Sequence, residues 1–172
     1  PQIAAAVGNI VGRMARPGRV FLILVRHGEA GKAATDAARE LTDAGRAAVR
    51  KLGGNLILLE YLPDMIRCSP LVRALQTAEI LQGALGGDIA MDATDDLAPG
   101  CTDATFADIL LGETPGSTVF WVGHMPDLGR YAARLLGLPA EISLRPGEAL
   151  GLDVDLAVDP PRASVKWGWK PS

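Results

Sequence analysis

The residues able to do chemistry sit in three short stretches: Arg26-His27-Gly28, Ser69-Pro70 with Arg73 one turn later, and Gly123-His124. His27 and His124 are the two histidines of the chain. Arginine presents a planar fork of donors that matches phosphate oxygens. A phosphoryl group in transfer needs positive charge on its equatorial oxygens and an in-line nucleophile. Neutral imidazole is a competent nucleophile near neutrality, because its ordinary pKa is ~6.5. Arginines beside His27 favour that neutral form. His124 is then suited to hydrogen-bond the phosphoryl oxygens, and Gly28 to let the backbone approach the ligand closely. Taken singly, each stretch has a plainer reading: a strand-ending turn, a solvated helix residue and a structural histidine. A zinc site from His27, His124, Cys68 and Cys101 lacks the close ligand pairs of structural zinc.

The elements around these residues bring them together. Val20-Phe21-Leu22-Ile23-Leu24-Val25 is a continuous apolar run of the kind buried on both faces in a parallel sheet, and it stops at Arg26. Thr42 reads as an N-cap with Asp43 in the first turn, and Val49, Leu52, Leu56 and Leu59 follow at helical spacing until Pro63. Gly53-Gly54 weakens that helix. Asp64 to Cys68 reads as a strand. Ser69 is expected to cap the next helix, Leu71 to Leu85, with Pro70 in its first turn. Ile89 to Met91 reads as a short strand, Asp92 to Thr102 as a polar loop and Phe106 to Leu111 as a short helix. Thr118 to Val122 is a third buried-type strand, and Pro126 to Leu136 a helix closed by Gly137. Glu148 to Val154 and Ala163 to Trp167 read as a closing pair of strands. Alternating strands and helices argue for one α/β domain with a mostly parallel sheet. In such a sheet, ligands bind beyond the carboxyl ends of the strands. All three reactive stretches begin there, so His27, His124, Arg26 and Arg73 are expected to converge.

Composition narrows the classes. The chain has 172 residues, the length of one domain with an ordinary core. A net charge of -3 gives no reason to expect a nucleic acid or an anionic membrane as partner. No apolar run is long enough to span a bilayer. The N-terminus lacks a basic region ahead of its apolar residues, so no secretory signal is expected. Cys68 and Cys101 are too few for a disulfide framework, which suits a reducing, cytoplasmic setting. Residues Pro1 to Arg19 are expected to be a peripheral extension with a short helix ended by Pro17-Gly18. Residues 20 to 172 are expected to form the domain. The Trp167 and Trp169 pair reads as packing.

The pattern resembles the histidine phosphatase superfamily. Leu24-Val25-Arg26-His27-Gly28-Glu29 is similar to its signature, Ser69-Pro70-Leu71-Val72-Arg73-Ala74-Leu75-Gln76-Thr77-Ala78 to its second block, and Val122-Gly123-His124 to its third. Within it, the chain looks like the SixA-type phosphohistidine phosphatases, through its short length, Leu41-Thr42-Asp43-Ala44-Gly45, Leu97-Ala98-Pro99-Gly100, His124-Met125-Pro126 and the Trp-containing ending. The resemblance implies a phosphoglycerate mutase-like three-layer α/β/α sandwich with a mostly parallel central sheet and no large cap insertion. It implies that His27 is phosphorylated in the intermediate, with Arg26, Arg73 and His124 around the phosphate, and that neither metal nor cofactor is needed.

Departures from the relatives carry information. The phosphoglycerate mutase branch has Ser and Asn three and six residues after the nucleophile, where this chain has Ala30 and Ala33. The acid phosphatase branch has Asp after the second histidine, where this chain has Met125. A general acid chiefly helps a strongly basic leaving group. An alkoxide needs that help, whereas a phosphohistidine releases imidazole, whose conjugate acid has a pKa of ~6.5. The missing acid therefore fits P–N cleavage. Only Ala30 to Leu41 and Asp92 to Thr105 are available as covering loops, and an open site suits a side chain on another protein. The expected substrate is a histidine-phosphorylated phosphotransfer domain or carrier protein in a signalling or sugar-uptake relay, bound by a monomer. One rival is a phosphomonoesterase for small molecules, with Glu29, Asp95 or Asp96 as its acid. A rival of another class is a non-catalytic phosphohistidine- or anion-binding module.

Overall fold

Strand β1 (Arg19–Arg26) is the middle of the molecule, and its side chains divide the core in two. Successive strand residues point to opposite faces. Phe21, Ile23 and Val25 pack on one side with Val49, Leu52, Leu56, Ala74, Ala78 and Leu81. Val20, Leu22 and Leu24 pack on the other with Phe106, Leu110, Leu128, Tyr131 and Leu135. A strand covered on both faces has no polar alternation, which is why this segment reads as an unbroken apolar run. The coordinates are a computed structural model and describe residues 17–171. Residues 1–16 of the expected extension lie outside the described residues.

The remaining elements follow in the order α1 (Asp43–Leu58), β2 (Met65–Cys68), α2 (Val72–Ala84), β3 (Ala90–Ala93), a 3-10 turn (Asp95–Leu97), α3 (Asp103–Leu111), β4 (Thr118–Gly123), α4 (Asp127–Leu136), β5 (Ala149–Asp155) and β6 (Arg162–Trp169). The sheet order is β3-β2-β4-β1-β5-β6. The first four strands in that order are mutually parallel, and β5 and β6 close the sheet antiparallel. Helices α1 and α2 cover one face, α3 and α4 the other, giving the expected three-layer α/β/α sandwich.

Three local readings are corrected. Gly53-Gly54 does not interrupt α1. A Cβ on Gly53 would lie 2.8 Å from that of Ala84, so this glycine lets α1 and α2 approach closely and packing outweighs its low helix propensity. Ser69 does not cap α2: the N-cap is Leu71 with no side-chain hydrogen bond, and Pro70 precedes the first turn. Helix α3 begins at Asp103, three residues before the expected start, because the Thr102 side chain accepts from the Thr105 amide.

Candidate active site

Adjacent parallel strands end level with one another. Arg26 is in register with Gly123, and Cys68 with Val122. One residue further on, the His27 amide donates to Gly123 O at 3.1 Å and the Ser69 amide to Val122 O at 2.9 Å. The sheet thus delivers His27, Ser69 and His124 side by side from β1, β2 and β4. The ring centroids of the two histidines are 5.1 Å apart. Arg73 enters from the first turn of α2.

A cleft of about 350 Å³ opens over these residues, lined by Arg26, His27, Arg73 and His124 and rimmed by Glu29, Asp36, Arg39 and Met125, among others. All four site residues expected from sequence therefore meet in one place. His27, Arg73 and His124 are buried, with 8%, 4% and 4% of their surfaces exposed.

The His27 ring is held at both nitrogens. Nδ1 lies 2.7 Å from the Gly28 carbonyl oxygen, which only accepts, so Nδ1 carries the proton and donates it there. Nε2 is left with its lone pair, which accepts from Arg73 Nε at 3.2 Å. Burial pushes the His27 pKa down to about 4, Arg73, Arg26 and Arg39 adding to the effect and the Gly28 carbonyl opposing it. The ring is neutral at pH 7. His124 is pushed down to about 3, by burial first and then by His27 and Arg73.

Arg73 is aimed from behind. Its two terminal nitrogens donate to the backbone oxygen of Asp36 at 2.7 Å and to its carboxylate at 3.0 Å. Asp36 also accepts from Arg39 at 3.1 Å, and these arginines, Arg39 first, hold its carboxyl below the usual range. Arg39 ties the loop together through the carbonyls of Gly31 and Ala30. Neither Asp36 nor Arg39 stands out in the sequence, because a loop has no period to mark residues that face inward. Arg26 donates to Leu144 O at 2.6 Å, and burial lowers its pKa against the opposing pull of Glu148.

Gly28 answers to a different neighbour than expected. A Cβ there would lie 3.0 Å from Val49 Cγ2 and 3.1 Å from Gly45 O, so the glycine makes room for α1 rather than for a ligand. Its amide donates to Thr77 Oγ1, which itself donates to Arg73 O, joining the His27 turn to α2. Of the suggested acids, Glu29 lines the cleft and accepts from Thr42 Oγ1 at 2.9 Å. Asp95 and Asp96 lie on the 3-10 turn and are not part of the lining. Cys68 is buried in the core, and neither it nor Cys101 lines the cleft, so the zinc set of His27, His124, Cys68 and Cys101 does not assemble there. Among the described residues, no three of His, Cys, Asp or Glu are grouped to hold a metal ion.

Comparison with known proteins adds three findings. The family model described as the histidine phosphatase superfamily (branch 1) matches residues 22–98, a span that contains Arg26, His27 and Arg73. An uncharacterized protein of Picosynechococcus is 37% identical over 116 residues, which is 64% of this chain and 70% of that protein. Solved structures with the same fold include the protein histidine phosphatase SixA complexed with tungstate (TM-score 0.79, 22% identity, 88% of this chain and 97% of that one). The putative phosphohistidine phosphatase SixA from Agrobacterium tumefaciens has a TM-score of 0.74 at 25% identity, over 91% and 99% of the two chains. A mycobacterial glucosyl-3-phosphoglycerate phosphatase complexed with VO3 has a TM-score of 0.69 at 19% identity, over 92% and 100%. The 22% and 19% likenesses are likenesses of fold.

Proposed function

Because this chain belongs to the histidine phosphatase superfamily, we propose that it is a protein phosphohistidine phosphatase. The observation that carries the reading is the His27 ring: neutral, buried, its proton committed to Gly28 O and its Nε2 lone pair facing Arg73 in the cleft. That is the state a nitrogen nucleophile needs before it meets phosphorus.

In the first step Nε2 of His27 forms a bond to the phosphorus of a phosphohistidine on the substrate protein. The P–N bond of the substrate breaks, and its electron pair leaves on a ring whose other nitrogen already carries a proton, so the departing imidazole is neutral. Arg26, Arg73 and His124 hold the oxygens as charge shifts among them. In the second step water adds to the phosphorus of phospho-His27, whose Nδ1 keeps its proton. The new P–N bond breaks, its electron pair returns to Nε2, and the water's protons leave on inorganic phosphate, so that His27 is neutral again.

The cleft's carboxylates support P–N cleavage over P–O cleavage. Asp36 is held below the usual carboxylate range by Arg39 and Arg73 and is no proton donor at pH 7. Glu29 is exposed, and the residue after His124 is Met125. An imidazole leaving group needs no such donor, whereas an alkoxide does. The SixA likeness agrees with a protein substrate, and the cleft is bordered by the 30–41 loop. The natural partner is a histidine-phosphorylated phosphotransfer or carrier protein, met as a monomer in the cytoplasm. The small-molecule phosphomonoesterase is the second reading, favoured by the position of the Glu29 carboxylate on the cleft.

The test is phosphate release, without added metal, from a histidine-phosphorylated phosphotransfer protein, with an alkyl phosphate beside it and His27→Ala as control. Fast release from the phosphoprotein, little from the ester and none from the variant is the expected result. Faster turnover of the ester moves the assignment to the phosphomonoesterase. No release from either substrate leaves an anion-binding module.

A further inference from the structure

Ser69 is fully buried at the end of β2 and touches the site through one atom. Its Oγ lies 2.7 Å from His124 Nε2 and accepts from the Leu71 amide at 3.3 Å. A serine hydroxyl offers one proton and two lone pairs. With the Leu71 amide on one lone pair, the proton has His124 Nε2 as its acceptor. If Nε2 carried the hydrogen instead, the serine would accept twice and its own proton would be buried without a partner, an arrangement that loses hydration and gains nothing. The balance of donors therefore puts the lone pair of His124 on Nε2 and its hydrogen on Nδ1.

A second observation points to what that hydrogen is for. Four buried side-chain polar atoms have no hydrogen-bond partner among the described residues: Arg26 Nε, Asn55 Oδ1, His124 Nδ1 and Trp169 Nε1. Two of the four belong to residues that line the cleft. Arg26 Nε is always a donor, and with Nδ1 protonated His124 becomes a donor too. Buried unpaired polar groups are rare, and two orphan donors in a cleft walled by guanidinium groups suit an anion.

We infer that Ser69 is a positioning residue that sets the tautomer of His124, so that His124 meets the phosphoryl group as an Nδ1–H donor without carrying a charge. The consequence for electrostatics is specific. A charged His124 would add a desolvated cation to a site that already holds the guanidinium groups of Arg26 and Arg73, with Arg39 at its rim, and the cations would repel one another. A neutral donor supplies a hydrogen bond at the phosphoryl oxygen without that repulsion. The two rings then have the same tautomer for opposite purposes: in His27 the proton is parked on Gly28 O to free Nε2, and in His124 Nε2 is occupied so that Nδ1 can donate. The role of the donor rests on the phosphatase reading, whereas the tautomer does not.

The protein contains two histidines, so labelling histidine alone with 15N leaves two rings to observe. Long-range 1H–15N correlation at pH 7 on the full chain reads the tautomer of each, and His27→Ala assigns them. Neutral imidazole free in water favours the Nε2–H form, so Nδ1–H on both rings is a distinctive expected result. In Ser69→Ala, His124 goes over to Nε2–H while His27 keeps Nδ1–H on Gly28 O, which also reports that the site is still folded. The kcat of Ser69→Ala on the phosphoprotein falls roughly 10–100-fold, the range for losing a residue that orients a functional histidine, with a smaller change in KM. His124 as Nε2–H in the wild type overturns the inference. So does a Ser69→Ala variant whose His124 ring and kcat are unchanged. Two Nδ1–H rings in a wild-type protein that releases no phosphate would sink the phosphatase reading and leave the tautomer assignment standing.

Discussion

Arg73 Nε donates to His27 Nε2 across 3.2 Å, and the opposite side of the same guanidinium is bound twice by Asp36. The hydrogen bond uses the lone pair that the proposed mechanism aims at phosphorus, so in that mechanism it gives way when substrate arrives. The same mechanism asks the arginine to turn a donor from the ring to the phosphoryl oxygens, a small movement because Asp36 already fixes its plane. In the free protein the contact also keeps His27 Nε2 unprotonated.

Arg73→Lys should therefore act as a loss of function although charge is conserved. An ammonium cannot bond Asp36 and reach the phosphoryl group together in the guanidinium's geometry. A fall in kcat/KM of about 10²-fold is expected, the scale of losing a preorganised transition-state donor. Steady-state kinetics on the phosphoprotein measures it; a change below about threefold would remove Arg73 from the transition state.

Acid should reach the site late. The pKa of His27 is depressed from 6.5 to about 4, so neutral His27 persists across the weakly acidic range. After correction for the substrate's own ionisation, the acid limb of kcat/KM on para-nitrophenyl phosphate should fall near pH 4 rather than near 6.5.

Stability carries the matching sign. The unfolded chain binds a proton on His27 below about 6.5 and the folded protein resists until about 4. The stability contributed by the neutral buried ring is thus complete above 6.5 and is lost as pH falls from there to about 4. The loss is on the order of 3 kcal/mol for His27. Urea unfolding of the wild type and His27→Ala from about pH 7 to 4 checks this: the variant should lose less.

Two glycines of α1 should respond oppositely to alanine. A Cβ on Gly45 would overlap the Glu29 carbonyl oxygen and lie 2.9 Å from the Glu29 nitrogen, backbone that cannot yield without shifting the turn after His27. Gly45→Ala should cost about 1–3 kcal/mol and lower kcat. Gly54 is exposed, and a methyl group there would have nothing within 4 Å, so Gly54→Ala should stabilise by roughly 0.5–1 kcal/mol with kcat unchanged. Thermal unfolding and kinetics on the pair separate the two.

Glu29→Gln discriminates between the two enzymatic readings. Phosphohistidine hydrolysis should stay within about threefold of wild type, since the leaving imidazole needs no acid. If Glu29 protonates an alkoxide, the same change would remove about 10²-fold or more of any alkyl phosphatase activity.

The strand-to-loop breaks at Arg26-His27-Gly28 and Gly123-His124 are legible along the chain, because both faces of β1 and β4 are buried and the apolar runs stop where the sheet ends. The helix at Thr42 is legible through its cap, since capping is a local hydrogen bond between the side chain and the Gly45 amide. Ser69 misleads for the same reason: its local signal, serine before proline, points to a helix cap, while its hydroxyl is taken by a histidine 55 residues away. Gly28 suggests a ligand because no spacing reveals that α1 crosses over it. The residue types and their place at the ends of parallel strands are properties of the sequence, set by periodicity, caps and breaks that act over a few residues. Which nitrogen of each histidine bears a proton, what aims Arg73, and why Asp36 and Arg39 line the cleft were decided only by the tertiary structure. Those depend on the distances between segments far apart in the chain, and on how much water the fold removes from between them.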